Sequence, residues 1–188
     1  MQRSGFKLGS FTLLELVVVL GILVVLAGMV TPILDRGLYD AAEGVTRTNL
    51  GAVRDAITGR FSYQADVGLR PSTIRDLLVR PTDGTAPPFN PQTGIGWRGP
   101  YLMDQGFTYV VQVEAGFTGA YGVEGDPAVP DGWRKPIVLQ TPLGDAHRAR
   151  IVSAGPDGIL QTPADVAYPL PASRGDDLLV FLYMADAE

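Results

Sequence analysis

Residues 9–28 read GSFTLLELVVVLGILVVLAG. Glu15 stands near the start of a run that continues to Leu34, and it is the only charge among the 24 residues from Phe11 onward. Roughly 20 apolar residues cross a bilayer as a helix. A carboxylate at membrane depth costs about 2.5–3.5 kcal/mol on insertion scales, and such residues usually pair. Ahead of the run, residues 1–10 carry Arg3 and Lys7 and no acid. Positive charge before an apolar run is retained in the cytoplasm.

Three readings compete for this run. A secretory signal peptide has an apolar core of about 7–15 residues and a small-x-small cleavage site behind it. Here the run is longer, and no A-x-A type site precedes Asp35. A plain membrane anchor leaves Glu15 unexplained. The third reading makes the run both an anchor and an assembly surface, with the leader removed in front of it. A cut just before Phe11 creates an α-amino group one helical turn from Glu15. Helices packed side by side with a small axial offset then let each Glu15 neutralise a neighbour's amine. A wrong offset leaves two unpaired charges in an apolar setting, so the glutamate sets register.

The segment Ser10-Phe11-Thr12-Leu13-Leu14-Glu15-Leu16 resembles the processing motif of the type IV pilin and pseudopilin family, a small residue followed by Phe-Thr-Leu-x-Glu. Pro32 lies 21 residues after Phe11, where the family carries a helix-kinking proline. The resemblance implies processing at Gly9, Ser10 and Phe11, with the cut after Ser10 so that Glu15 is fifth in the mature chain. It assigns assembly to Phe11, Thr12, Glu15 and Pro32. Ser10, where the family has glycine, is a departure.

After Pro32 the pattern turns amphipathic: Leu34, Leu38, Ala41, Val45, Ala52, Val53, Ala56 and Ile57 recur at helical spacing among charged residues. One helix from about Phe11 to Arg60 is expected, kinked near Pro32 and ~75 Å long. Gly37, Gly44 and Gly51 are spaced for one helix face. They suit close packing or bending in a filament, or reflect chance in a glycine-rich chain. Residues 61–69 read as a loop, and Ser72 caps a short helix to about Val79. Four strands are expected, FTYVVQV (107–113), PIVLQ (136–140), ARIVSA (149–154) and DLLVFLYM (177–184). Strands so close in sequence pair antiparallel. The fold class is therefore α+β, a long N-terminal helix packed on a small antiparallel sheet. The domains are a leader at 1–10, a transmembrane or filament-core helix at 11–34, its amphipathic continuation at 35–60, and a globular domain at 61–188.

GWRGPYL (96–102) and DGWRKPIVL (131–139) narrow the resemblance to the major pseudopilin of type II secretion systems. Physically, Trp97, Tyr101 and Trp133 supply core area. In that subfamily a loop like VSAGPDGILQTPADVAYPLPASRGDDLLVFLY binds calcium. The resemblance implies carboxylates from Asp157, Asp176 and Asp177, with Ser153 and nearby carbonyls completing a shell, since Ca²⁺ takes six to eight oxygens. Asp165 is a spare carboxylate. Residues 103–130 are longer than the family's connection.

The net charge of −5 argues against charge-driven nucleic-acid binding, and the absence of cysteine excludes disulfide and thiol chemistry. No P-loop or GxGxxG appears. His147, the only histidine, lies in a polar turn, and no catalytic constellation is expected. The resemblance implies a non-enzymatic subunit, processed by prepilin peptidase and N-methylated at Phe11. It would sit as a single-pass inner-membrane protein with its C-terminal domain in the periplasm, then enter a pseudopilus. Its partners would be copies of itself, minor pseudopilins and the inner-membrane assembly platform. A type IV pilus or competence pilin, a minor pseudopilin, and a membrane-anchored enzyme or binding domain are the alternatives.

Overall fold

The computed structural model describes residues 12–183, the side chains of 30–34 and 146 excepted. The leader, Gly9, Ser10, Phe11 and Met184 lie outside them. The chain divides into two compact units, residues 1–40 and 41–188. Within both runs α1, Leu13–Thr58, continuous through Pro32.

In the first unit every residue from 12 to 29 is exposed. The large apolar side chains among them are never less than 46% exposed. Among the described residues no helix is long and apolar enough to cross a membrane. Residues 13–29 rise about 26 Å in a helix, against ~30 Å of hydrocarbon.

The second unit is α+β. β1 (Val138–Gln140), β2 (Arg150–Ser153) and β3 (Leu178–Phe181) form one antiparallel sheet in the order β1-β2-β3. Leu139, Ile151 and Val180 align across it and face the main core. That core contains Leu50, Val53 and Ile57 of α1 together with Tyr63, Leu77 and the partly buried Trp97 and Tyr101. Val138, Val152 and Leu179 align on the opposite face and join a second core with Tyr109, Phe117 and Leu160. The sheet is therefore covered on both sides. Residues 103–130 supply the second cover, and they meet the long loop where Leu160 N–H donates to Ala115 O at 2.9 Å.

Several expectations need correction. FTYVVQV does not form a strand; it is extended, with single bridges from Thr108 to Pro127 and from Gln112 to Phe117. Its partner segment turns through Gly116 and Gly125 too soon to extend a ladder. The expected loop at 61–69 contains α2, Tyr63–Val67, which Ser62 starts by accepting Ala65 N–H and Gly68 ends in the left-handed conformation. Ser72 is not a cap. Asp76 reaches back from α3, Arg75–Leu78, to accept the N–H groups of Ser72 and Thr73. The buried face of α1 includes Val53, Ala56 and Ile57 as expected, but Leu38, Ala41, Val45 and Ala52 are exposed, and Thr46 and Leu50 are buried instead.

Thr46 and Asn49 account for the difference in the earlier part of that face. Asn49 Nδ2 donates to Pro130 O at 2.9 Å, and the Thr46 hydroxyl accepts Gly132 N–H at 2.9 Å. A Cβ on Gly132 would come within 2.0 Å of Ala42 O. Only glycine lets the 130–135 turn approach α1 that closely.

Candidate functional site

The described part of the helix start brings two predicted residues together. Thr12 Oγ1 accepts the backbone N–H of Glu15 at 3.2 Å, and Glu15 lies in the first turn of α1. Thr-x-x-Glu is a helix-starting pattern, in which the hydroxyl satisfies an orphan N–H and the acid faces the positive end of the helix dipole. That signal is legible in Thr12-Leu13-Leu14-Glu15 and adds a local role to the intersubunit role expected of both residues. Gly9, Ser10 and Phe11 lie outside the described residues. Pro32 is inside α1, and its side chain is likewise outside them. A Cβ on Gly37, Gly44 or Gly51 would meet nothing within 4 Å among the described residues, so no packing there uses these glycines.

The Asp-rich loop joins some of the predicted ligands and separates others. Asp157 N–H donates to Asp176 Oδ2 at 3.2 Å. Asp177 Oδ2 accepts Gln161 N–H at 2.9 Å and Thr162 N–H at 2.6 Å, which ties the end of the loop to its beginning. Both oxygens of Asp157 are engaged, one by Ile159 N–H and one by Gln161 Nε2. The Ser153 hydroxyl is donated to Asp131 Oδ2 at 2.6 Å. Asp165 is exposed.

Among the described residues no group of three or more acidic or histidine side chains is placed to hold a metal ion. Two carboxylate oxygens in this loop are left without donors. Asp176 Oδ1 and Asp177 Oδ1 are buried and accept no hydrogen bond. Burial raises the Asp177 carboxyl above its ordinary value. The Thr162 side chain and the N–H groups of Thr162 and Gln161 offset this in part, and the charge of Asp176 adds to it.

Sequence reading missed the group that holds the middle of the loop. Arg150 on β2 is fully buried. Its guanidinium donates to Pro163 O at 2.6 Å, Val166 O at 2.8 Å, Ala167 O at 3.2 Å and Gln140 Oε1 at 2.9 Å. Gln140 Nε2 donates in turn to Tyr121 OH at 3.1 Å and Thr162 O at 3.2 Å. The long loop and the 103–130 segment thus converge on one buried polar pair. Among the described residues no carboxylate lies within ion-pair distance of Arg150. Burial lowers its pKa, and four acceptors compensate for the lost water. The available signal was a charge inside the otherwise apolar strand of ARIVSA.

The aromatic segment 96–102 packs as read. Trp97 and Tyr101 meet edge to face at 5.8 Å, as do Tyr63 and Tyr101. Trp97 Nε1 donates to Asp76 O at 3.0 Å, and Tyr101 OH donates to Asp66 at 3.1 Å. No protein-family model, no curated protein and no solved structure matches the chain.

Proposed function

We propose that the chain is a structural subunit of a type IV pilin-like filament, most like the major pseudopilin of type II secretion, and not an enzyme. The single observation that supports this most is the apolar start of α1. Residues 13–29 are apolar apart from Glu15, and all are exposed. Such a surface needs lipid or neighbouring helices to cover it. The sequence run 11–34 is long enough to provide a span.

In this reading prepilin peptidase cuts after Ser10 and the new Phe11 amine is methylated. The helix is stored in the inner membrane, with the domain from 61 in the periplasm. The assembly platform then draws it into a pseudopilus with further copies and minor pseudopilins, powered by a cytoplasmic ATPase. Glu15 pairs with the Phe11 amine of a neighbour. A calcium ion, where bound, is held by Asp176 and Asp177, and it neutralises one half-buried and one buried carboxylate. The two oxygens without donors support that assignment.

The test expresses the full chain with and without prepilin peptidase and reads the N-terminus by mass spectrometry. A peptidase-dependent cut between Ser10 and Phe11 is expected; an uncut chain, or a cut beyond Ala27, overturns the proposal. Glu15→Gln then separates the two roles of the acid. Glutamine and alanine both keep the Thr12 contact, which uses the backbone N–H of residue 15, and both remove the charge. Loss of filaments with a helix start unchanged by circular dichroism assigns the role to charge between subunits, and normal filaments overturn it.

A further inference from the structure

The extended segment 107–111 is hydrogen-bonded along one edge only, and Gln112 beyond it pairs with Phe117. Tyr109 N–H donates to Asp126 O at 2.7 Å, Gly125 N–H to Tyr109 O at 2.9 Å, and Ala128 N–H to Phe107 O at 2.9 Å. Thr108 and Val110 alternate with these residues, so their backbone groups point the other way. Among the described residues those groups have no hydrogen-bond partner. The free edge borders a cleft of about 330 Å³ walled by Thr108, Val110, Gln112, Arg134 and Lys135. A second hollow of about 250 Å³ shares Phe107 and Arg134 and extends toward Asn49.

The opposite wall is held rigidly. The buried Asp131 carboxylate accepts Trp133 N–H at 2.9 Å and Lys135 N–H at 2.8 Å in addition to the Ser153 hydroxyl. This turn fixes Arg134 in the left-handed conformation, φ 63°, where glycine would be relaxed and arginine is strained. The Arg134 side chain is exposed, with no carboxylate partner among the described residues. Lys135 lies over Gly158, and its Nζ reaches Gln112 Oε1 at 3.3 Å. A strained turn therefore presents two cations to an unpaired backbone edge, on a chain whose net charge is −5.

We propose that this cleft binds an extended acidic segment of a partner protein. The segment adds as a strand along Thr108 and Val110, with a carboxylate on Arg134 and Lys135. Strand addition uses open edges of this kind, and a guanidinium can fork a carboxylate through two hydrogen bonds. The inference is independent of the filament reading, since it uses nothing from the apolar helix.

The probe is an end-blocked, fluorescein-labelled peptide, Thr-Val-Asp-Val-Asp-Val-Thr, titrated into the full chain in detergent micelles and followed by anisotropy. Amide exchange at Thr108 and Val110 is measured in parallel. Saturable binding is expected, together with slowed exchange at both amides. Binding should weaken by at least about tenfold for the peptide with Asn in place of Asp and for Arg134→Ala. Arg134 is exposed, and alanine meets the same backbone conformation as arginine does, so this variant keeps the fold. Absence of saturable binding, equal binding of the Asn peptide, or indifference to Arg134→Ala overturns the proposal. Binding without protection of the two amides also overturns it, leaving only a surface ion-pair contact.

Discussion

Two stretches of α1 differ in how burial relates to hydropathy. Residues 13–29 are apolar with one acid among them, and all are exposed. Further along, the buried face runs through Thr46, Leu50, Val53 and Ile57, with the polar Asn49 partly buried beside it. The first stretch stays exposed along its length. The second stretch has a turn opposite, and that turn offers hydrogen bonds that Thr46 and Asn49 satisfy. Burial follows from what stands opposite a side chain as much as from its own solubility.

The hardest test of this contrast is Arg150, a charge buried where hydropathy would place an aliphatic residue. Arg150→Met leaves Gln140 and three loop carbonyls without a donor. It should cost about 3–5 kcal/mol, read as lost denaturation free energy of the full chain in micelles. A loss below about 1 kcal/mol would mean that water replaces the guanidinium and that the loop does not depend on it.

Next comes the same substitution in the two stretches. Leu50→Ala removes a side chain that is 1% exposed and should cost about 2–5 kcal/mol. Leu23→Ala removes one that is 55% exposed and should change the stability of the domain by less than about 0.5 kcal/mol. Its effect should appear instead in filament yield. Equal costs in denaturation would break the contrast.

The smallest effect is on pH. Burial raises the carboxyls of Asp131 and Asp177 above the ordinary 3.8. The folded state then holds those protons more tightly than the unfolded chain does. Their contribution to stability is present below the unfolded value and is lost as pH rises through the folded ones. Melting of the full chain at pH 4 to 7 should show that decline, on the order of 1 kcal/mol. Calcium should flatten it, and Asp176→Asn with Asp177→Asn should abolish the calcium effect. A decline unchanged by calcium would remove the ion from the loop.

The long helix, the α+β class and three of the four strands were legible because each rests on a local period or a short apolar run. FTYVVQV has the same alternation yet no ladder, because pairing requires a partner segment of matching length and direction. Asp157 and Ser153 were plausible ligands by residue type, but rotamer and hydrogen-bond choices turned them toward Gln161 and Asp131. Thr12 and Glu15 could have been recognised as a helix start from their spacing alone.

The sequence by itself determined where the long helix runs, which part of it is apolar, and that Glu15 is the single charge there. Those properties depend on residues within a few turns of one another. Tertiary structure alone decided that Arg150 closes the long loop, that residues 103–130 cover the far side of the sheet, and that Gly132 must be glycine. Each depends on groups distant in the chain meeting at hydrogen-bond or van der Waals distance, which no local pattern encodes.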